Sequence, residues 1–136
     1  MWGQVLLRSL YNPKKEISMS KIAVFVFADS ESHADMGRIA NAMEMVHEFK
    51  EAGEEAKLVF DGAGVTWPGK LADNDHPLHG KFEEIKPNIV GACAFCSKAF
   101  KAEEGVKNAD IPFLDDFNGH PSVRTFIKEG FQIITL

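Results

Sequence analysis

The stretch Ile22-Ala23-Val24-Phe25-Val26-Phe27-Ala28 decides the fold. It is apolar throughout, with no polar residue at every second place. A strand with one wet face alternates, whereas a strand covered on both faces does not. The run therefore predicts a parallel strand held between two helix layers, which the rest of the chain has to supply. Asp29-Ser30-Glu31-Ser32 follows as a turn, and Ser32 with Asp35 resembles a helix-opening cap. Over residues 34–52, Ile39, Ala42, Met43, Val46 and Phe49 fall at spacings that make one stripe on a helix. Gly53 is placed to end that helix.

Further along, residues 56–60 predict a second strand, closed by Asp61-Gly62-Ala63-Gly64. Residues 65–79 are rich in Gly, Asp, Asn, His and Pro, with a short helix expected over 67–72 and then a loop. Another helix is expected over 78–85, stopped by Pro87. Residues 89–93 repeat the unbroken apolar pattern as a third strand. Short helices follow over 97–100 and 103–108, and a short edge strand over 111–114, where Pro112 removes a donor. Pro121 suits the first position of a helix running to Glu129, with Val123, Phe126 and Ile127 inward. Residues 131–135 close the chain as a last strand. Strands alternating with helices make the fold class α/β, with a mainly parallel sheet of about five strands covered on both faces.

The composition fits one domain. In 136 residues, 45% hydrophobic, there is material for one core, and eleven Phe against two Trp and one Tyr favour rings that need no hydrogen-bond partner. Residues 1–18 differ from the rest: aromatic, basic and without a clear period, they are set apart as an extension, leaving 19–136 as the domain. A net charge of −5 argues against a nucleic-acid partner, because phosphate binding needs a basic face. No apolar run approaches the roughly 20 residues that span a bilayer. The N-terminus lacks the apolar stretch and small-residue cleavage site of a secretory signal. A cytoplasmic location is expected, and two cysteines are too few for a disulfide scaffold.

Ligands of open parallel sheets bind beyond the carboxyl ends of the strands. Four loops meet that rule. They bring Asp29 and His33, then Asp61, Gly62, Gly64 and Trp67, then Cys93 and Cys96, then Asp115, Asp116, Asn118 and His120. The cysteines carry the sharpest signal. Cys93 ends a strand, and Cys96 is expected to open the next helix, where free amides and the dipole favour thiolate and Lys98 adds to the field. Cys96 is thus the candidate nucleophile. Cys93 is either its resolving partner or a small core residue, since free cysteine is often buried and inert. His33 and His120 stand where they can tune a thiolate, and His120 also precedes the helix-starting Pro121. His47 falls on the polar side of the long helix and is expected to be solvated.

Other chemistry is weaker. His76 and His79 could join the cysteines as four zinc ligands, but structural zinc clamps loop-rich modules, and this chain can build a core without metal. No metal and no cofactor are expected. Asp61-Gly62-Ala63-Gly64-Val65 lacks the third glycine of a dinucleotide fingerprint and the Lys-Ser/Thr of a P-loop, so its glycines are read as serving a tight turn. Asp115-Asp116 reads as a solvated loop.

The element order from Lys21 to Leu136 resembles that of the DsrE/DsrF-like family. The most specific part is Gly91-Ala92-Cys93-Ala94-Phe95-Cys96-Ser97-Lys98-Ala99-Phe100, and the tail from Gly119-His120-Pro121-Ser122 to Gly130-Phe131-Gln132-Ile133-Ile134-Thr135 is also similar to members. The resemblance implies a three-layer α/β/α fold, assembly as a homo-oligomeric trimer or hexamer, and a sulfur-relay role with a partner relay protein, the persulfide being carried on Cys93 or Cys96. The chain departs from relay members in having two cysteines, and Lys98 and Lys101 where paired arginines often follow. Three readings stay open: a sulfur carrier using Cys96 and Cys93, a non-catalytic module taking a small ligand on the rim, and a dithiol redox protein. The last fits the Cys-x-x-Cys spacing but lacks the Trp before it and the Gly-Pro inside it.

Overall fold

The computed structural model describes residues 19–136, so the extension over 1–18 lies outside the described residues. The chain runs β1 (Lys21–Val26), α1 (His33–Glu51), β2 (Glu55–Phe60), a 3-10 turn (Gly62–Thr66), α2 (Trp67–Leu71), α3 (His79–Ile85), a second 3-10 turn (Lys86–Asn88), β3 (Ile89–Cys93), α4 (Ala94–Ala99), α5 (Glu103–Asn108), β4 (Phe113–Leu114), α6 (Val123–Lys128) and β5 (Gln132–Thr135). The five strands form one parallel sheet in the order β4-β3-β2-β1-β5.

That order assigns the layers. Parallel crossovers are right-handed, so successive steps in one direction put their helices on one face. The steps β1 to β4 all move one way, and the return to β5 moves the other way. Among the described residues, helices α1 to α5 therefore share a face, and α6 alone lies on the opposite one. The side chains agree: Ile22, Val24, Val26, Leu58 and Phe60 pack with Ile39, Met43, Val46, Trp67, Leu71, Phe82 and Val106. Their strand neighbours Ala23, Phe25 and Val59 pack instead with Phe126 and Phe131. The fold is a three-layer α/β/α sandwich with one deep face and one thin one.

Local chemistry explains the main elements. Ser32 caps α1 as expected, its Oγ accepting the Asp35 N–H at 3.1 Å and donating to Asp35 Oδ2 at 2.9 Å. His47 is half-buried rather than simply solvated: its Nε2 reaches Glu84 Oε1 at 2.8 Å, tying α1 to α3. β1 stops at Val26, short of the expected Ala28, because the Phe27 and Ala28 amides both turn to Leu136 O, at 2.7 and 3.2 Å.

The last helix departs most from expectation. It begins at Val123, not Pro121, with Ser122 as its cap, accepting from Thr125 N–H. Of the three residues expected inward only Phe126 is buried; Val123 and Ile127 are exposed. This six-residue helix, alone on its face among the described residues, buries one side chain against the sheet. Phe126 does this with edge-on contacts to Phe25 at 5.5 Å and Phe131 at 5.8 Å. The thin layer leaves a groove of about 410 Å³ along Lys57, Val90, Leu114, Asp116 and Thr125.

Candidate functional site

β3 passes into α4 without a loop, and Cys93 makes the corner. Its Sγ accepts the Cys96 backbone N–H at 3.4 Å, in the place that a Ser or Asp oxygen usually takes at a helix cap. The bond draws one turn of helix back over the strand end, and the two cysteines approach to 3.3 Å as free thiols. Cys93 is 0% exposed, whereas Cys96 is only half-buried. Cys93 is thus fully covered and Cys96 only partly so.

The cause of that division differs from the sequence expectation. Cys93, not Cys96, turns its sulfur to the amides at the helix start. Cys96 lies within the first turn, and its S–H donates to Asp61 Oδ1 at 3.5 Å. Lys98 is exposed. Burial pushes the Cys93 thiol up to about 12, and the nearby Asp61 charge adds to this; the Cys96 amide works in the opposite direction. At neutral pH Cys93 is a neutral thiol, and its use as a nucleophile needs a base.

His120 is placed to be that base. Asn118 and Gly119 both have positive φ, 50° and 83°, as a type I′ turn requires. Phe117 and His120 exchange backbone hydrogen bonds across it, both 2.8 Å. Gly119 O accepts Phe95 N–H at 2.9 Å, which docks the turn on the start of α4. His120 Nδ1 thereby sits 3.2 Å from Cys93 Sγ, with its ring packed against Phe95 at 4.7 Å between centroids. Asn118-Gly119 is the sequence signal for this reversal, beyond the loop expected around His120.

Asp61 follows β2 and caps the 3-10 turn, its Oδ1 accepting Gly62 N–H at 2.8 Å. The donor atoms of Asp61, Cys93, Cys96 and His120 all lie within 4.8 Å of one another. His76 and His79 are not part of this group. His76 Nδ1 accepts from Leu78 N–H, and His79 Nδ1 bonds Leu71 O, so both rings hold their own loop.

The remaining rim residues separate from the thiols. Trp67, expected to line a ligand site, is 1% exposed, and its Nε1–H donates to Ala28 O at 2.9 Å. It is a core residue because a large ring with one satisfied donor gains most from full burial. Asp29 and His33 are exposed and lie outside the four-residue group; His33 borders a shallow groove with Ser30, Lys70 and His76. Gly62 and Gly64 offer no open anion cradle: their amides bond Asp61 Oδ1 and Asp61 O, both at 2.8 Å. A Cβ at Gly64 would stand 1.9 Å from Val26 O, so glycine is required there for backbone approach.

One feature the sequence did not suggest surrounds the thiols. Phe27, Phe95 and Phe117 are exposed by 43, 58 and 64%. Each adjoins the site: Phe27 contacts Gly62, Phe95 stacks on His120, and Phe117 is bridged to His120.

No protein-family model matches the chain. An uncharacterized protein of Methanocaldococcus jannaschii is 29% identical over 117 residues, covering 85% of this chain and 95% of that protein. Among solved structures, a conserved protein of unknown function from Bacteroides thetaiotaomicron is similar with a TM-score of 0.55 and 18% identity, over 84% of this chain and 94% of that one. At that identity the likeness concerns the fold alone.

Proposed function

We propose that this protein is a thiol-based sulfur carrier of the DsrE/DsrF-like kind, with Cys96 as the residue that accepts and delivers sulfane sulfur. The observation that carries the reading is the pair itself: a half-buried Cys96 and a fully covered Cys93, 3.3 Å apart, at the carboxyl end of β3. In the forward step the Cys96 thiolate attacks the outer sulfur of a donor persulfide. The donor S–S bond breaks, the donor leaves as a thiolate, and the outer sulfur remains on Cys96 as a persulfide. An acceptor thiolate repeats the exchange and restores Cys96, with no net oxidation. The apolar collar of Phe27, Phe95 and Phe117 suits docking of a donor or acceptor protein. Assembly as a homo-oligomer and a cytoplasmic setting belong to the same proposal.

The close approach of the two sulfurs favours a second reading, a dithiol couple. His120 takes the Cys93 proton, and the Cys93 thiolate attacks the inner sulfur of the Cys96 persulfide. Hydrosulfide leaves and a Cys93–Cys96 disulfide remains, which a dithiol reductant must reopen. One experiment addresses both. Reduced, metal-stripped protein is treated with a low-molecular-weight persulfide and weighed by mass spectrometry. Wild type gains one sulfur atom, mapped to Cys96, and Cys96→Ser gains none. Under the dithiol reading Cys93→Ser holds its persulfide longer than wild type. If Cys96→Ser loads as wild type does, or neither protein loads, the sulfur-carrier reading fails.

A further inference from the structure

Asp61 follows β2, Cys93 and Cys96 span the end of β3 and the first turn of α4, and His120 follows β4, yet their donor atoms meet within 4.8 Å. We propose that these four residues form a zinc site, with two sulfurs, one imidazole nitrogen and one carboxylate oxygen as ligands. Tetrahedral zinc holds sulfur at about 2.3 Å and nitrogen or oxygen at roughly 2.0–2.2 Å, which spaces the ligand atoms ~3.3–3.8 Å apart. Here His120 Nδ1 lies 3.2 Å from Cys93 Sγ, Asp61 Oδ1 lies 3.5 Å from Cys96 Sγ, and the cysteines are 3.3 Å apart. The other pairs lie within 4.8 Å, so side-chain shifts of at most about 1.5 Å bring the four donors to tetrahedral spacing.

The donor chemistry selects the metal. Two thiolates with an imidazole suit zinc, and disfavour magnesium and calcium, which take oxygen ligands. Outer contacts that hold such ligands are also in place. Gly62 N–H fixes Asp61, the Cys96 amide bonds Cys93 Sγ, and Phe95 packs against the His120 ring. Among the described residues no lysine or arginine pairs with Asp61, so a bound cation meets no competing positive charge there. This site stands on donor geometry and does not require sulfur transfer.

The full chain, reduced and stripped with a chelator, is titrated with Co²⁺ as an optical stand-in and then with Zn²⁺. One Co²⁺ per chain is expected, with the visible bands of tetrahedral cobalt and a near-ultraviolet thiolate-to-cobalt band, both lost when Zn²⁺ displaces it. Cys93→Ser and Cys96→Ser each weaken the thiolate band. Asp61→Asn and His120→Ala each lower zinc affinity by more than the roughly tenfold that loss of even an outer partner costs. His76→Asn with His79→Asn binds as wild type does. Circular dichroism checks that each variant is folded. If Cys93→Ser does not fold, the half-buried Cys96 and Asp61 carry the test. Folded wild-type protein without the thiolate band overturns the proposal, as does wild-type affinity in Asp61→Asn or His120→Ala. Persulfide loading is measured on stripped protein, so failure there is read separately from failure here.

Discussion

On one side of the carboxyl rim, the loop after β1 carries Asp29 and His33 in solvent, and the ring of Trp67 is turned down into the core. On the other side, the loops after β2, β3 and β4 fold inward until Asp61, Cys93, Cys96 and His120 touch. Both halves hold the same kinds of residue. What separates them is what their hydrogen bonds converge on. The turn at Asn118-Gly119 is locked to Phe95, and the sulfur of Cys93 is locked to the Cys96 amide. In the first half the links run from the Trp67 indole to Ala28 O, from Lys70 Nζ to Ser30 O and between the Ser30 and Thr66 hydroxyls, and they bring no thiol and imidazole together. Polar residues on a rim become a site where the bonds that hold the loops converge on reactive side chains.

If the division is right, Trp67 matters for stability and not for the thiols. Replacing a buried Trp by Ala costs roughly 3–5 kcal/mol. Trp67→Ala is expected to lose that much in urea unfolding, while Cys96 in the folded fraction alkylates at the wild-type rate. Trp67→Phe, which leaves the Ala28 carbonyl without its donor, costs about 1–3 kcal/mol and serves if the first variant does not fold. A change in Cys96 reactivity in the folded protein would erase the distinction between the two halves.

The next effect lies on the thiol side. Gly119 holds φ at 83°, which costs an L-residue about 1–2 kcal/mol. Gly119→Ala is expected to destabilise by that amount and to move His120 away from Cys93, slowing release of hydrosulfide from the loaded protein. Stability loss with unchanged release would show that His120 does not serve Cys93.

Alkaline pH gives a smaller, graded effect. Cys93 is raised from an ordinary value of 9.0 to about 12 in the folded chain. Below pH 9 both folded and unfolded chains keep the proton, and its contribution to stability is fully present. Between 9 and 12 the unfolded chain binds fewer protons, so stability falls as pH rises. Cys93→Ala is expected to flatten that slope in urea unfolding measured across this range. An equal slope in the variant would assign it to other groups.

The smallest effect is expected at Asp29 and His33. Alanine at either position should stay within about 0.5 kcal/mol of wild type, with unchanged Cys96 labelling, as for other exposed side chains without partners in the core. A clear loss of labelling in either would draw the two halves of the rim back into one site.

Much of the fold is legible in the chain because its signals are local. Ile22 to Val26 and Ile89 to Cys93 are apolar without alternation, and the α1 stripe buries Ile39, Ala42, Met43 and Val46 as its spacing requires. Val123 and Ile127 misled because periodicity states which residues share a face, and not whether anything covers that face. Of the site, the two cysteines and the candidate roles of Asp61 and His120 on the rim were readable from strand ends alone. Trp67 was misplaced because a loop position does not reveal the direction of its ring.

The sequence by itself determined the strands, the long helix, the parallel sheet and the end of that sheet where polar side chains gather, since each depends on residues near one another along the chain. Only the tertiary structure decided which thiol is covered, which helix crosses to the other face of the sheet, and that Asp61 and His120 close on the cysteines. Those outcomes depend on right-handed crossovers and on hydrogen bonds between loops separated by whole helices. Cys93 Sγ and His120 Nδ1 are 27 positions apart in the chain and 3.2 Å apart in space.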